Sequence, residues 1–491
     1  MRITEDKPKE ECGVFGIYAP VGTGVSKYIY HGLVALQHRG QEAAGMAVSD
    51  TEGPMGNLQL KKKQGLVSEI FHPEDIKMLS GNIGIGHVRY STTGGSTEAN
   101  AQPIAMNYIK GSLAVVHNGN IVNVNELKEA QLYRGLSYYT TSDSEVLAYE
   151  IVGERVKCGS VEEAVKNAAQ KLRGGFAVIA MSPRKLVGIR DPFGIKPLIL
   201  GIIHDTNPQM EYDLGMSKNT GGNTDVDILG GRIRLGDTYI LASESAAIKA
   251  VGGEVIRDVE PGEIVTISKD GIKSDRSLCQ EKRAHCIFEY IYFARNDSVM
   301  DGIEIHEARV NAGRALARKS KVDADIVVGV PDSGLAAAEG YAMESGIPFA
   351  LAFHKNSYIG RSFIKPTDEE RQNAVHMKLS VLTGVVKDKS IVIIDDSIVR
   401  GTTMRQLIEM LKEAGAREVH VRISSPPFLY PCYYGTDVPT AKQLIASEHS
   451  AEDVRRTVGA DSLEYLAIED FKMMVGDLPL CTACFTNDYP C

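Results

Sequence analysis

Apolar positions along this chain change period several times, and each change marks an element. The densest run is Ile391-Val392-Ile393-Ile394, four β-branched residues that predict a strand covered on both faces in a parallel sheet. Asp395 and Asp396 stand at its end, and Ser397-Ile398-Val399-Arg400-Gly401-Thr402-Thr403 fills the turn. From Met404 the period becomes helical, with Met404, Leu407, Ile408 and Leu411 on one face and a stop at Gly415. Val419-His420-Val421-Arg422-Ile423 predicts the next strand. Upstream, Ile326-Val327-Val328-Gly329-Val330 repeats the scheme: an apolar strand, a Pro331-Asp332-Ser333-Gly334 turn, then a helix from Leu335. In open parallel sheets ligands gather at such strand ends, and a turn rich in Gly, Ser and Thr before a helix suits a phosphate.

The first half alternates with period two instead. Cys12-Gly13-Val14-Phe15-Gly16-Ile17-Tyr18 predicts a strand that exposes a thiol where the backbone approaches closely. Apolar runs at 83–86 and 113–116 lead into His87-Val88-Arg89-Tyr90-Ser91-Thr92-Thr93-Gly94 and His117-Asn118-Gly119-Asn120. A third polar fragment is Thr141-Ser142-Asp143-Ser144-Glu145. Together these carry the groups an acyl-transfer site needs. Strands dominate through residue 276, so sheets packed face to face between helical layers are expected. Residues 1–11 hold seven charges and one apolar side chain beyond Met1, a leader unable to pack in a core. The stretch between Gly201 and Tyr239, rich in Gly, Asn and Asp, predicts an extended hairpin or surface loop.

At 491 residues the chain needs two to four domains. A net charge of -9 argues against nucleic acid as the main partner, because such proteins carry a basic footprint. With no run of 18 apolar residues and a charged start, neither a membrane span nor a secretory signal is expected, which points to the cytoplasm. Eight cysteines are too few for a disulfide scaffold. Cys481-Thr482-Ala483-Cys484 forms a C-x-x-C pair, Cys286 lies far upstream, and Cys432 follows the rigid Ser424-Ser425-Pro426-Pro427-Phe428-Leu429-Tyr430-Pro431. Four thiols suit iron–sulfur or zinc equally well. A redox pair is the alternative for Cys481 and Cys484, without a thioredoxin-like context before it. Cys158, Cys279 and Cys491 have no assignment.

The 391–403 stretch resembles the signature of type I phosphoribosyltransferases. Cys12, His38-Arg39-Gly40-Gln41-Glu42 and the three polar fragments resemble the glutaminase domain of class II amidotransferases, which are N-terminal-nucleophile hydrolases. From Cys12 to about Cys484 the chain is similar to the amidophosphoribosyltransferase family in its iron–sulfur-containing branch. That resemblance implies an α/β and α+β protein. A propeptide at 1–11 would precede an αββα sandwich at 12–276. A type I phosphoribosyltransferase parallel-sheet domain would follow at 277–470, with a C-terminal segment bearing cluster ligands at 471–491.

The activity implied converts glutamine, phosphoribosyl pyrophosphate and water into 5-phosphoribosylamine, glutamate and pyrophosphate, the opening step of purine synthesis. Cleavage after Glu11 would let the freed amine of Cys12 act as base for its own thiol. By the same resemblance Asn118 and the Gly119 N–H stabilise the oxyanion, while Arg89 and Asp143 hold the α-carboxylate and α-ammonium of glutamine. Asp395 and Asp396 would contact the ribose hydroxyls, and Ser397, Arg400, Gly401, Thr402 and Thr403 the 5′-phosphate. Asp332 and Ser333 fall to the pyrophosphate, and Lys355 and Arg361 to a flap at 355–363. Mg²⁺ would sit with Asp395, Asp396 and Ser333, and a [4Fe–4S] cluster with Cys286, Cys432, Cys481 and Cys484. The sequence departs from the family at Lys196, where Arg is usual, at Gly334, where many members have Ser or Thr, and at Ser357, where Arg is common. A homotetramer inhibited by purine nucleotides is implied, with neither nucleic acid nor membrane as partner. Two rivals are another class II amidotransferase, which would lack the 395–403 turn, and a non-catalytic nucleotide-responsive or iron-sensing protein, which has no use for Cys12, Arg89, Asn118 and Asp143 together.

Overall fold

The computed structural model describes residues 12–53, 57–90, 97–204, 236–356, 379–436 and 440–491. The leader, most of the 201–239 stretch and most of the flap, Arg361 included, lie outside the described residues.

Period-two alternation in the first half resolves into two antiparallel sheets. The seven-stranded sheet runs Glu254–Asp258, Ile199–Ile203, Thr238–Ala242, Gly13–Tyr18, Ile83–Arg89, Ala43–Ser49, Leu58–Gln64. The six-stranded sheet runs Gly271–Asp275, Ile264–Ser268, Leu186–Arg190, Gly174–Met181, Gly111–Ile121, Ile104–Tyr108. Because successive side chains of a strand point to opposite faces, Val14 and Tyr18 pack between the sheets with Ile83, Ile85, Ala114, Val116 and Ile179. Phe15 and Ile17 face outward onto Ile29 and Leu33 of the helix Ser26–Ala35. On the far side Val115, Phe176 and Val178 meet Val146, Leu147 and Ile151 of the helix Asp143–Lys157 and Ala164 of Val161–Ala169. The result is an αββα sandwich. Each fully buried Val, Leu, Ile or Phe contributes roughly 1.5–3 kcal/mol.

The apolar runs of the second half form a parallel sheet in the order Ile326–Gly329, Ser390–Asp395, Glu418–Ile423, Ser462–Tyr465. Val327, Val392 and Ile394 pack into one apolar cluster and Ile326, Val328, Ile391 and Ile393 into another, so both faces are covered. The helix after the acid pair spans Thr402–Glu413 and buries Met404, Leu407, Ile408 and Leu411. It begins two residues before Met404 because Gly401, at φ +82°, turns the chain into the helix. The helices Ile305–Ser320 and Gly334–Ser345 lie on the other face, in the cluster that also holds Phe15 and Ile29.

The chain closes on itself near its end. His285–Cys286 pairs in parallel with Leu480–Cys481. Phe288, Phe428 and Phe485 stack around this junction, with ring centroids of Phe288 and Phe428 4.8 Å apart. Among the described residues no helix is long and apolar enough to cross a membrane.

Two candidate active sites and a four-cysteine pocket

The first site forms where the strand starting at Gly13 meets the end of the strand Ile83–Arg89. Gly13 pairs with Val88, which sets Cys12 beside Arg89 and Tyr90. The thiol donates to the Tyr90 carbonyl at 3.4 Å. Contrary to the expectation of an exposed thiol, Cys12 is buried, because Tyr90 and Arg39 close over the strand start. The Arg39 guanidinium donates to the Cys12 carbonyl at 3.1 Å, to Glu244 Oε1 at 2.7 Å and to both Glu289 oxygens at 2.6 and 2.9 Å. Glu244 also accepts from the Ser298 hydroxyl at 2.7 Å and meets the His38 ring at 2.7 Å. Burial alone would raise its carboxyl, but His38 and Arg39 outweigh that and hold it well below the carboxylate range.

The second sheet contributes Asn118 and Gly119 from the strand Gly111–Ile121. His87, reaching from the first sheet, points Nε2 at the His117 carbonyl 3.1 Å away, so this ring nitrogen carries the proton. That contact pins the sheets together one residue from Asn118. Burial pushes the His87 imidazole down to about 3, which keeps it neutral. Asn118 is fully buried, and neither its Oδ1 nor its Nδ2 has a hydrogen-bond partner among the described residues. Native proteins satisfy nearly all such atoms, so this amide is free to hydrogen-bond a group that enters beside it. Gly119 sits at φ +129°, and a Cβ there would lie 2.0 Å from the Gly175 carbonyl oxygen.

Asp143 opens the helix Asp143–Lys157, which Ser142 caps by accepting from the Ser144 N–H. Its carboxylate accepts from the Ile121 N–H at 3.1 Å and lies 3.7 Å from the His117 ring. Burial raises its carboxyl, but the His117 ring and the backbone N–H groups of Ile121 and Ser144 hold it below the usual range.

The second site lies at the carboxyl ends of two neighbouring parallel strands. Gly329 is in register with Ile394, which sets the turns after them abreast. Asp395 and Asp396 are buried, and Asp396 accepts from the hydroxyls of Ser333 and Ser397, tying the turns together. Gly401 then opens the helix Thr402–Glu413, whose first-turn N–H groups have no intrahelical acceptor. Arg400 donates to Gln443 at 2.9 Å, and Lys355 is ion-paired with the exposed Asp332. Behind the acids lies Arg309, buried and donating to the Tyr290 carbonyl at 2.9 Å and the Ala294 carbonyl at 2.7 Å. Burial pulls this guanidinium down to about 10, with the Asp396 charge opposing it.

Cys286, Cys432, Cys481 and Cys484 line one cavity of about 20 Å³, with Phe288, Phe428 and Lys196 also in its wall. Burial pushes the Cys481 thiol up to about 12, and burial with the neighbouring thiols raises Cys484 well above the ordinary thiol value. Any ligand role would deprotonate them. Among the described residues no three His, Cys, Asp or Glu side chains stand close enough to hold a single metal ion.

Known proteins match both halves. The glutamine amidotransferase domain family matches residues 87–207, and the phosphoribosyl transferase domain family residues 300–424. Amidophosphoribosyltransferase of Bacillus subtilis (strain 168) is 42% identical over 488 residues, which cover 98% of this chain and 94% of that one. The chain belongs to the amidophosphoribosyltransferase family. The Archaeoglobus fulgidus amidophosphoribosyltransferase is 41% identical over 483 residues, 98% of each chain. A solved structure described as the allosteric regulatory enzyme of purine biosynthesis superposes with a TM-score of 0.85 at 42% identity, covering 98% of this chain and 96% of that one. Glutamine phosphoribosylpyrophosphate amidotransferase from B. subtilis, complexed with ADP and GMP, gives 0.84 at 41% identity, covering 98% of this chain and 97% of that one.

Cys12, Arg89, Asn118, Gly119 and Asp143 come from three strands and one helix start, brought together by the Gly13–Val88 pairing, the His87–His117 contact and the approach of His117 to Asp143. Asp332, Ser333 and residues 395–403 converge at the neighbouring strand ends. Sequence reasoning missed the Arg39–Glu244–Glu289 ion network and Arg309. A charged residue inside the apolar Cys286-Ile287-Phe288-Glu289-Tyr290-Ile291 run was the available signal for Glu289. Arg309 gave none, since an arginine on a helix usually faces water.

Proposed function

We propose that the two clefts divide one reaction between them. As an amidophosphoribosyltransferase, the chain transfers the amide nitrogen of glutamine to phosphoribosyl pyrophosphate at the first step of purine biosynthesis. The observation that carries the assignment of the first cleft is Asn118, whose buried amide has no partner among the described residues and lies in the sheet that packs against the strand starting at Gly13, next to Cys12. Removal of the leader after Glu11 gives Cys12 a free amine, which takes the proton of the thiol. The thiolate attacks the carboxamide carbon, and the oxyanion forms against Asn118 Nδ2 and the Gly119 N–H. Arg89 and Asp143 pair with the charged groups of the amino acid, consistent with the ionised state argued for Asp143. Collapse releases ammonia and leaves a thioester that water hydrolyses to glutamate.

Ammonia is consumed in the second cleft, where pyrophosphate leaves the anomeric carbon. Asp395 and Asp396 hold the ribose hydroxyls, and residues 397–403 hold the 5′-phosphate. Asp332, Ser333, Lys355 and Arg361 serve the pyrophosphate and the flap. No side chain acts as nucleophile there, so positioning and electrostatics carry the step. The carboxylates of Asp395 and Asp396 and the Ser333 hydroxyl are hard oxygen donors that suit Mg²⁺, which when bound neutralises the departing pyrophosphate. For the four cysteines we infer a [4Fe–4S] cluster: their thiols line one cavity, four thiolates suit iron–sulfur or zinc equally well, and the resemblance to the iron–sulfur-containing branch, rather than their spacing, selects iron. When bound, it crosslinks three chain segments. We further assign the propeptide to 1–11, the glutaminase domain to 12–276, the transferase domain to 277–470 and the ligand-bearing segment to 471–491. The working form is a cytoplasmic homotetramer inhibited by purine nucleotides, the compound class bound in the B. subtilis structure.

The test is glutamate release and phosphoribosylamine formation by anaerobically purified, processed protein, with and without phosphoribosyl pyrophosphate. Equal yields of the two products with both substrates support the reading. Glutamate release that ignores the second substrate, with no phosphoribosylamine formed, would reject it.

A further inference from the structure

The cysteine pocket touches the glutaminase cleft through its wall. Immediately after Cys432 the chain runs Tyr433-Tyr434-Gly435, and this segment lies against the two residues that follow Asn118. Asn120 Nδ2 donates to the Tyr433 carbonyl at 2.8 Å. Gly435 sits at φ +127°, and a Cβ there would lie 3.1 Å from Lys196 Nζ and 3.4 Å from the Gly119 Cα. Lys196 is fully buried and also lines the cavity of the four thiols. Gly119 is thus hemmed on one side by Gly175 and on the other by Gly435.

We propose that Asn120 and Gly435 are positioning residues for the oxyanion donors, holding the Gly119 peptide in the orientation that glutamine hydrolysis needs. The inference rests on the assignment of Asn118 and Gly119 as those donors. Its physical basis is that an oxyanion site works only when its donors are fixed before charge develops. The ladder that pairs Gly119 with Phe176 fixes one edge of this strand, whereas its pairing on the other edge stops at Val115 among the described residues. The Asn120 amide supplies a hydrogen bond to a segment from the other half of the chain, and the bare Gly435 backbone supplies a flat surface against Gly119. The segment is anchored at Cys432, so the pocket and the cleft share one wall.

The test uses the processed holoenzyme with Asn120→Ala, Asn120→Gln and Gly435→Ala, and Asn118→Ala as reference. Asn120→Ala is expected to lower kcat for glutamine hydrolysis roughly 10- to 100-fold, the range for misplaced catalytic groups. KM for glutamine, ammonia-dependent synthesis, iron content and melting temperature should stay at parent values. Asn120→Gln should restore part of the loss, and Gly435→Ala should reproduce it. Unchanged kcat in Asn120→Ala, a rise in KM alone, or a parallel fall of ammonia-dependent synthesis would each overturn the proposal. If Asn118→Ala itself hydrolyses glutamine at parent rate, the donor assignment is what fails; if Asn118→Ala is crippled and Asn120→Ala is not, only the positioning role fails.

Discussion

The two clefts of this chain solve opposite problems. In the first, where the proposed nucleophile is the protein's own Cys12, the fold buries a thiol, leaves the Asn118 amide without a partner among the described residues and clamps the surroundings with the Arg39–Glu244–Glu289 network. In the second, where the proposed reaction joins two substrate groups, the fold supplies paired acids, hydroxyls and a helix start at the ends of parallel strands. Antiparallel strands with hairpin-like returns bring residues distant in sequence to one point. A parallel sheet lines up its strand ends by construction, so one βα turn carries most of a phosphate site. On the proposed roles, a covalent site is assembled from many fragments and a transfer site from few.

Breaking this contrast most completely is Cys12→Ala, which should lower glutamine-dependent synthesis by on the order of 10⁴-fold while ammonia-dependent synthesis persists. Loss of both, followed as phosphoribosylamine formation, would refute the division. Next, Asp395→Asn with Asp396→Asn should reduce phosphoribosylamine formation roughly 10³-fold and spare basal glutamate release, because electrostatic groups rather than a nucleophile are removed. Product formed at parent rate would exclude the ribose role. Asn118→Ala should cost about 10²-fold in kcat for glutamine, the scale for one oxyanion donor, and KM measured alongside should move little.

Two smaller effects sharpen the picture through stability. Cys481→Ser should remove the brown colour of a cluster and lower the melting temperature by roughly 5–10 °C, as loss of a few kcal/mol does in a domain of this size. A colourless, zinc-containing parent protein would reject the iron assignment. His87 is neutral in the fold because burial drops it to about 3, below its unfolded value of 6.5. Below pH 6.5 the unfolded chain binds the additional proton, so this contribution is fully present above that pH. It falls as pH drops toward 3, by at most about 1.4 kcal/mol per unit. His87→Gln should flatten the dependence of melting temperature on pH between 6.5 and 5.

Legibility in the sequence followed the same divide. The Ile391–Ile394 run, its acids and the Gly401 turn are contiguous, and the structure places a strand at Ser390–Asp395 and a helix at Thr402–Glu413. Period-two alternation around Gly13 likewise became Gly13–Tyr18. The burial of Cys12 was not legible, because the groups that cover it, Arg39 and Tyr90, act from 27 and 78 positions away.

What the chain determined alone was every element whose period is local and every motif whose parts are neighbours: the strand patterns, the acid pair and its turn, the Cys-x-x-C pair. Tertiary structure alone decided which distant groups share a site. It set Glu289 against Arg39, placed Arg309 behind Asp396, and laid Tyr433–Gly435 on Gly119. Such contacts leave no period in the sequence, since they depend on how finished sheets and helices pack and not on the conformation of any one segment.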